Sequence, residues 1–245
     1  MNLVLDIGNT RIKAALFERD VLKETGVFDS VNSFHASALF DKHAVAHCII
    51  GSVVNEMESF IMSLQKKCPV LVFSSDTPTP LKNLYRSAHT LGSDRLAAAV
   101  GGNTLFPNEH VLVIDAGTCI KYNFVNSKNE YIGGAIAPGL EMRLKALHTF
   151  TSRLPLLKVD EDYNTLVGTN SVESILSGAQ GGAVAEMEGC IALYRQQYPD
   201  IKVVITGGDV NFFEKRLKNS IFADEYLILK GLNIILEYNL KVSKE

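Results

Sequence analysis

The sequence predicts a duplicated α/β fold, in which two halves each open on a strand hairpin and continue through helices and further strands. The main observation is a near-repeat: "NLVLDIGNTRIKAALF" at the start and "HVLVIDAGTCIKYNF" from His110. With one residue dropped from the turn, Asp6 matches Asp115, Gly8 matches Gly117, Thr10 matches Thr118, Ile12 matches Ile120 and Lys13 matches Lys121. The second observation is that helical spacing follows each hairpin, the pattern of a duplicated unit. The third is size: 245 residues at 47% apolar content suffice for two small domains with real cores. The halves are expected at 1–107 and 108–245.

In the first half, "NLVLDIG" and "RIKAALFE" read as strands joined by a tight Gly-Asn turn, and "DVLKETGVF" as a third strand. "VNSFHASALFDKH" is a short helix and "AHCIIGSV" a buried strand. "NEMESFIMSLQKK" has helical spacing, with Met57, Ile61 and Leu64 on one face. "PVLVFS" is a strand, and "SDTPTPLKN", with two prolines, is loop. "SDRLAAAVGGNTLF" is a helix with Ser93 as its expected N-cap.

In the second half, "HVLVIDAG" and "CIKYNFV" form the second hairpin and "EYIGGAIA" adds a strand. "PGLEMRLKALHTF" is a helix with Pro138 in its first turn. "TSRLPLLKVDEDYNTLVG" is a long loop. Residues 170–198 read as one long helix, "IKVVITGG" as a strand ending in a Gly turn, and "DVNFFEKRL" and "LNIILEYNL" as helices.

Composition excludes several classes. Net charge is −3 and the longest basic run is Lys66-Lys67, so no nucleic-acid partner is expected. No apolar run reaches membrane-span length, Asp6 interrupts the first apolar stretch, and no basic segment precedes it. A cytoplasmic protein without membrane attachment is expected. The four cysteines lack C-x-x-C or zinc spacing and read as reduced thiols.

Both hairpin turns suit phosphate binding. Gly8 and Asn9 let backbone amides approach phosphate oxygens, Thr10 offers a hydroxyl and Lys13 a charge. Asp6, at the strand end, is placed to hold magnesium through water. Asp115 and Thr118 follow the same logic, and "TGG" at Thr206–Gly208 ends a strand beside a helix start. A G-x-x-x-x-G-K-[ST] motif is lacking, so this is not a P-loop protein. The plain alternatives are a hairpin carrying a surface lysine and, for Asp94–Arg95, a helix first turn in which the macrodipole favours an acid.

"DIGNTRIK", "GSDR", "DAGT", "GGAIAPG", "GTNS" and "TGG" follow one another as in the type III pantothenate kinases, and the chain resembles that family from residue 2 to about residue 208. The resemblance implies the actin and sugar-kinase superfamily, with two ribonuclease-H-like halves around a nucleotide cleft. It implies ATP-dependent phosphorylation of pantothenate to 4'-phosphopantothenate, the first step to coenzyme A. It further implies an ATP phosphate loop over Asp6, Ile7, Gly8, Asn9, Thr10, Arg11, Ile12 and Lys13, joined by Thr118, and an adenosine loop in the second half. Asp94 would be the general base; Tyr85, Gly92, Ser93, Asp94, Arg95 and Thr169 would bind pantothenate. Asp115 would hold a monovalent cation, potassium or ammonium, and Asp6 magnesium through water. A homodimer is implied, with the helix from Asn170 to Tyr198 and its Gly178, Gly181, Gly182, Ala183 and Ala185 as a contact. Ser171, Cys119 and Asn123 depart from the family pattern, which has Thr, Ala and often Asp there. Two alternatives stay open: a silent nucleotide-binding relative, or a kinase for another small acid or a sugar. The presence of Asp6, Asp94 and Asp115 together favours an enzyme.

Overall fold

The computed structural model describes residues 1–8, 11–36, 43–52, 58–219 and 221–242. The chain forms two compact units. The first comprises Met1–Pro107, Lys128–Ile132 and Tyr226–Glu245; the second comprises Asn108–Ser127 and Gly133–Glu225.

In the first unit, β1 (Asn2–Ile7) pairs antiparallel with β2 (Ile12–Glu18), and β2 with β3 (Val21–Phe28). β4 (His47–Ser52) runs parallel to β1 on its other side, and β5 (Val70–Val72) parallel to β4. The order is therefore β3-β2-β1-β4-β5. Alternating residues Leu3, Leu5 and Ile7 of β1, with Ala14 and Leu16 of β2 and Ile50 of β4, form one core. Phe34 of α1 (Val31–Ala36) and Phe60 and Leu64 of α2 (Glu58–Gln65) close it. Phe60 and Leu64 are the buried residues of α2, whereas Ile61 is only half-buried and Met57 lies outside the described residues. The helix expected over 31–43 is described to Ala36, and residues 37–42 lie outside the described set.

α3 (Ser93–Leu105) and α8 (Leu227–Val242) pack together in this unit. A Cβ at Gly231 would lie 1.9 Å from the Ala97 carbonyl oxygen, so the helices meet backbone to backbone. A buried polar network fixes α8 to the sheet: Asn2 Nδ2 donates to Asn233 Oδ1 (3.0 Å) and Glu237 Oε1 (2.7 Å), and Asn233 Nδ2 to the Arg19 carbonyl (2.7 Å). Such groups are costly unless satisfied, so the network specifies where α8 sits. β6 (Lys82–Asn83) pairs in parallel with Glu130–Tyr131, the start of β9 (Glu130–Pro138). The stretch expected as loop thus ends in a two-residue strand.

The second unit repeats the plan. β7 (Val111–Ala116) pairs antiparallel with β8 (Cys119–Asn126), β9 lies beside β8, and β10 (Lys202–Thr206) runs parallel to β7. β11 (Phe222–Ala223), which no sequence signal announces, extends the order to β11-β10-β7-β8-β9-β6. Leu112, Ile114, Ile120, Tyr122 and Phe124 pack on Met187 and Ile191 of α6 (Gly182–Gln197) and on Phe213 of α7 (Val210–Glu214).

Three expectations here are corrected. Pro138 ends β9 instead of entering a helix; Gly139 is the N-cap and α4 runs Leu140–Thr149. The helix expected over 170–198 is α5 (Ser171–Leu176), a π-helical stretch at Ser177–Gly181, and α6. That stretch carries Gln180, whose side chain makes paired bonds of 2.8 Å with the backbone N–H and carbonyl of Asp160, tying down the 150–170 loop. Finally, Gly92 caps α3, and Ser93 is its first helical residue. Among the described residues no helix is long and apolar enough to cross a membrane.

Candidate functional site

The first hairpin is built by register. Asp6 opposes Lys13 and Ile7 opposes Ile12, leaving 8–11 as the turn, closed by a 3.0 Å bond from Gly8 N–H to the Arg11 carbonyl. Ile7 and Ile12 are buried and anchor both strands, while Asp6, Gly8 and Lys13 are half-buried at the surface end. Arg11 is exposed and 3.9 Å from the Asp29 carboxylate, a contact worth little. Asn9 and Thr10, expected at the tip, lie outside the described residues.

The second hairpin has the same register. Asp115 opposes Lys121 and Ala116 opposes Ile120, so the turn is 117–119, one residue shorter. Gly117 N–H donates to the Cys119 carbonyl at 3.1 Å, a backbone closure that does not depend on the side chain at 119. Thr118 is exposed at the tip. Asp115 is buried, and its Oδ2 accepts a 2.9 Å bond from Lys121 Nζ. β10 places Thr206 in register with Asp115, and Thr206 Oγ1 is buried with no hydrogen-bond partner. Gly207 follows with φ of +102°, and a Cβ there would lie 2.2 Å from the Ala116 carbonyl and 2.7 Å from Asp115 Oδ1. Glycine is required at this position by both conformation and space. Asn123 is fully buried in β8.

The third group sits at the start of α3, in the first unit. Gly92 enters extended (ψ 135°), and a Cβ there would lie 2.5 Å from Asp94 Oδ1. Asp94 Oδ1 accepts the Arg95 N–H at 2.8 Å, and Gly92, Ser93 and Asp94 are half-buried. Arg95 is buried, with its guanidinium carbon 5.4 Å from the Tyr85 ring centroid, within cation–π range. Four expected substrate residues and the expected base therefore come together. A small pocket lined by Phe73, Ser74, Asn83, Leu91, Ser93 and Leu96 adjoins them. Phe73 and Leu91 carry no sequence signal, because they come from the stretch after β5 and from an irregular segment, whereas Leu96 lies on α3.

Thr169 lies in the second unit. Its N–H and hydroxyl both donate to Glu173 Oε2 at 2.7 Å, and these two bonds hold the Glu173 carboxyl below the usual glutamate range. Asn170 is the N-cap, accepting the Glu173 N–H at 3.0 Å. "GTNS" is thus a helix-capping device as well as a motif. Serine at 171 opens α5 from an exposed position.

The residues present suit a polyphosphate ligand with a divalent ion. A Cβ at Gly208 would meet nothing within 4 Å, and one at Gly117 only the Gly208 nitrogen at 3.9 Å, so the backbone surface there leaves space for a ligand, while the Gly117 N–H itself closes the turn. Among the described residues no group of three His, Cys, Asp or Glu side chains could hold a metal alone. The buried, unpartnered Thr206 Oγ1 beside Asp115 suits a monovalent cation.

Two sheets that share a five-strand order, the second extended by β6, and that are each led by an acidic hairpin, define a protein of the actin and sugar-kinase fold class. Solved structures agree. A Campylobacter jejuni protein of the Baf family superposes with a TM-score of 0.61 at 20% identity, covering 98% of this chain and 99% of that one. A ROK family glucokinase from Streptomyces griseus, in complex with glucose and AMPPNP, gives 0.50 at 15% identity, covering 97% and 98%. Residues 2–193 match the type III pantothenate kinase family. A Bacteroides fragilis type III pantothenate kinase is 46% identical over 241 residues, 98% of each chain. The chain belongs to the type III pantothenate kinase family.

Proposed function

We propose that the protein transfers the γ-phosphoryl group of ATP to the primary hydroxyl of pantothenate, giving 4'-phosphopantothenate and ADP, the first step toward coenzyme A. The observation that carries the reading is the start of α3 in a chain of this family. There a carboxylate and a buried guanidinium on consecutive residues adjoin an aromatic ring and a pocket.

Asp94 accepts the hydroxyl proton as the substrate oxygen bonds to the γ-phosphorus and the bond to the β–γ bridging oxygen breaks. Arg95, stacked on Tyr85, takes the substrate carboxylate, and Gly92, Ser93 and Thr169 complete the acceptor's contacts. Residues 6–13 and Thr118 hold the ATP phosphates. Asp6 would hold magnesium through water, and the ion would offset charge on the phosphoryl oxygens. Asp115 with Thr206 takes a potassium or ammonium ion. The expected boundary at 107/108 divides the two hairpins, one in each unit, while 128–132 and 226–245 pack with the first unit; each unit supplies nucleotide-binding residues, in a cytoplasmic homodimer. The dimer reading is supported by the strong exposure of Phe150, Leu166 and Val167 in the second unit, and by open space beside Gly178, Gly181 and Gly182.

The test is an ADP-release assay with ATP, magnesium and potassium, offering pantothenate beside acetate and glucose. Pantothenate should be the acceptor used. Asp94→Asn should lower kcat roughly 10²- to 10⁴-fold with an unchanged melt. Turnover of acetate or glucose at the same rate, or an Asp94→Asn enzyme within a few-fold of wild type, overturns the reading. Light scattering at twice the 26.9 kDa chain mass tests the dimer, and a fully active monomer would remove it.

A further inference from the structure

Tyr85 lies in an irregular stretch between β6 and a short 3₁₀ turn at Ala88–Thr90, so no regular element sets the direction of its ring. Its position comes from two contacts. Asn83 Oδ1 accepts the Tyr85 N–H at 3.0 Å, a side chain standing in for a backbone turn two residues on. The fully buried Tyr131 ring packs against the Tyr85 ring at 6.1 Å between centroids. Asn83 is itself pinned. It pairs with Tyr131 across the β6–β9 ladder, Lys82 N–H donates to the Asn129 carbonyl (3.2 Å), and Leu84 N–H donates to the Tyr131 carbonyl (2.9 Å). A two-residue strand adds little to a sheet. Its consequence is local: the residues just after it have one backbone path.

We propose that Asn83 is a positioning residue for the acceptor substrate, its side-chain carbonyl holding the Tyr85 backbone so that the ring stays against the Arg95 guanidinium. This rests on the reading of Tyr85 and Arg95 as pantothenate-binding residues. Without the Asn83 bond, Tyr85 N–H turns to water, the ring leaves Arg95, and the guanidinium loses the surface that orients it. The loss falls on binding of the acceptor. The proton transfer at Asp94 and the nucleotide contacts in the first hairpin do not depend on Asn83. Asn83 also lines the pocket beside Ser93, so a direct contact with substrate is the competing account.

The experiment is steady-state kinetics on Asn83→Ala, Asn83→Ser, Tyr85→Ala, the Asn83→Ala/Tyr85→Ala double variant and Arg95→Ala, with thermal melts. Asn83→Ala should raise pantothenate KM roughly 2- to 12-fold, the range one neutral hydrogen bond supports, with kcat and ATP KM unchanged. Asn83→Ser should return most of the loss, because a hydroxyl accepts the same turn bond more weakly. The double variant should match Tyr85→Ala alone, since Asn83 acts through Tyr85. Additive losses in the double variant mean direct contact and overturn the proposal, as does an unchanged KM in Asn83→Ala. Arg95→Ala separates the two levels. If it leaves pantothenate KM unchanged, the site reading fails and the Asn83 role falls with it; if it raises KM while Asn83→Ala does not, only the Asn83 role fails.

Discussion

The two hairpins share a register and differ in what surrounds their acids. In both, an aspartate opposes a lysine across the first strand pair, with a buried isoleucine beside the lysine. In the second, Asp115 is buried, bonded to Lys121, and backed by β10, whose Gly207 leaves no room for a side chain. In the first, Asp6 is half-buried and the turn is one residue longer. A duplicated frame has kept its backbone and divided its duties. One copy buries its charge as part of the framework, and the other keeps its acid and turn near the surface. The difference predicts opposite patterns of damage: stability should fail first in the second hairpin, activity first in the first.

The largest effect should come from Gly207→Ala. A Cβ there would meet the Ala116 backbone carbonyl at 2.2 Å, which no side-chain rotation relieves, and the buried Asp115 carboxylate at 2.7 Å, at a φ that disfavours side chains. A loss of about 3 kcal/mol or more is expected, lowering the melting temperature by roughly 10 °C. A melt within about 2 °C of wild type would show that β10 does not brace the hairpin so closely.

Asp115→Ala and Asp6→Ala form the sharpest pair. Removing Asp115 leaves Lys121 with its ammonium beside a vacated, mostly buried site. Because Lys121 keeps about a fifth of its side chain exposed, part of the cost is recovered from water, and about 2 kcal/mol should be lost. Asp6→Ala should cost less stability than Asp115→Ala, because Asp6 is half-buried where Asp115 is buried, yet turn over far more slowly. Equal melting losses in both variants would erase the distinction between the hairpins. Potassium stimulation should vanish in Asp115→Ala and persist in a stable Asp6→Glu control.

The lysines extend the same test to kinetics. Lys13→Ala should raise ATP KM roughly tenfold, about 1.4 kcal/mol, with little change in pantothenate KM. Lys121→Ala should instead lower the melt, since it leaves the Asp115 carboxylate buried without its cation. Unchanged ATP kinetics in Lys13→Ala would remove the first turn from the nucleotide site.

The hairpins were legible in the sequence because period-2 alternation, an acid and a glycine turn are local signals. Even the one-residue deletion appears as the 8–11 turn against 117–119. The start of α3 was legible through Asp94, although its cap was not: Gly92 is the N-cap, close under the Asp94 carboxylate, and Ser93 is the first helical residue. What stayed hidden depends on distant partners. Gly207 matters because β10 returns beside β7, a pairing no local pattern encodes. The long helix runs on through a π-helical stretch at Ser177–Gly181, which carries Gln180 to Asp160 across the long loop, a contact no local pattern encodes. β6 and β11 are two residues each, too short to show any period. Asn170 and Glu173 form a cap that was readable from N-x-x-E spacing, but the motif drew the reading toward ligand binding instead.

The smallest structural effect, and the most discriminating, should be Gly8→Ala. The described glycines with positive φ are Gly133, Gly134 and Gly207, so Gly8 has a backbone conformation open to any residue. A Cβ on Gly8 would lie 3.4 Å from the Arg11 carbonyl, an ordinary contact, so the fold itself tolerates alanine there. Stability should therefore change by no more than about 0.5 kcal/mol. The Gly8 N–H closes the turn on the Arg11 carbonyl, so what the glycine offers is room: if a phosphate lies against this turn, the added methyl stands in its path, and ATP KM should rise several-fold while pantothenate KM holds. The matching change in the second hairpin, Gly117→Ala, also has room, with 3.9 Å to the Gly208 nitrogen, and supplies the comparison under the same assay. A Gly8→Ala enzyme that melts well below wild type would mean that the framework, and not a ligand, requires the glycine. One that melts normally and binds ATP normally would mean that no phosphate comes near this turn, and the division of duties between the two hairpins would have to be drawn elsewhere.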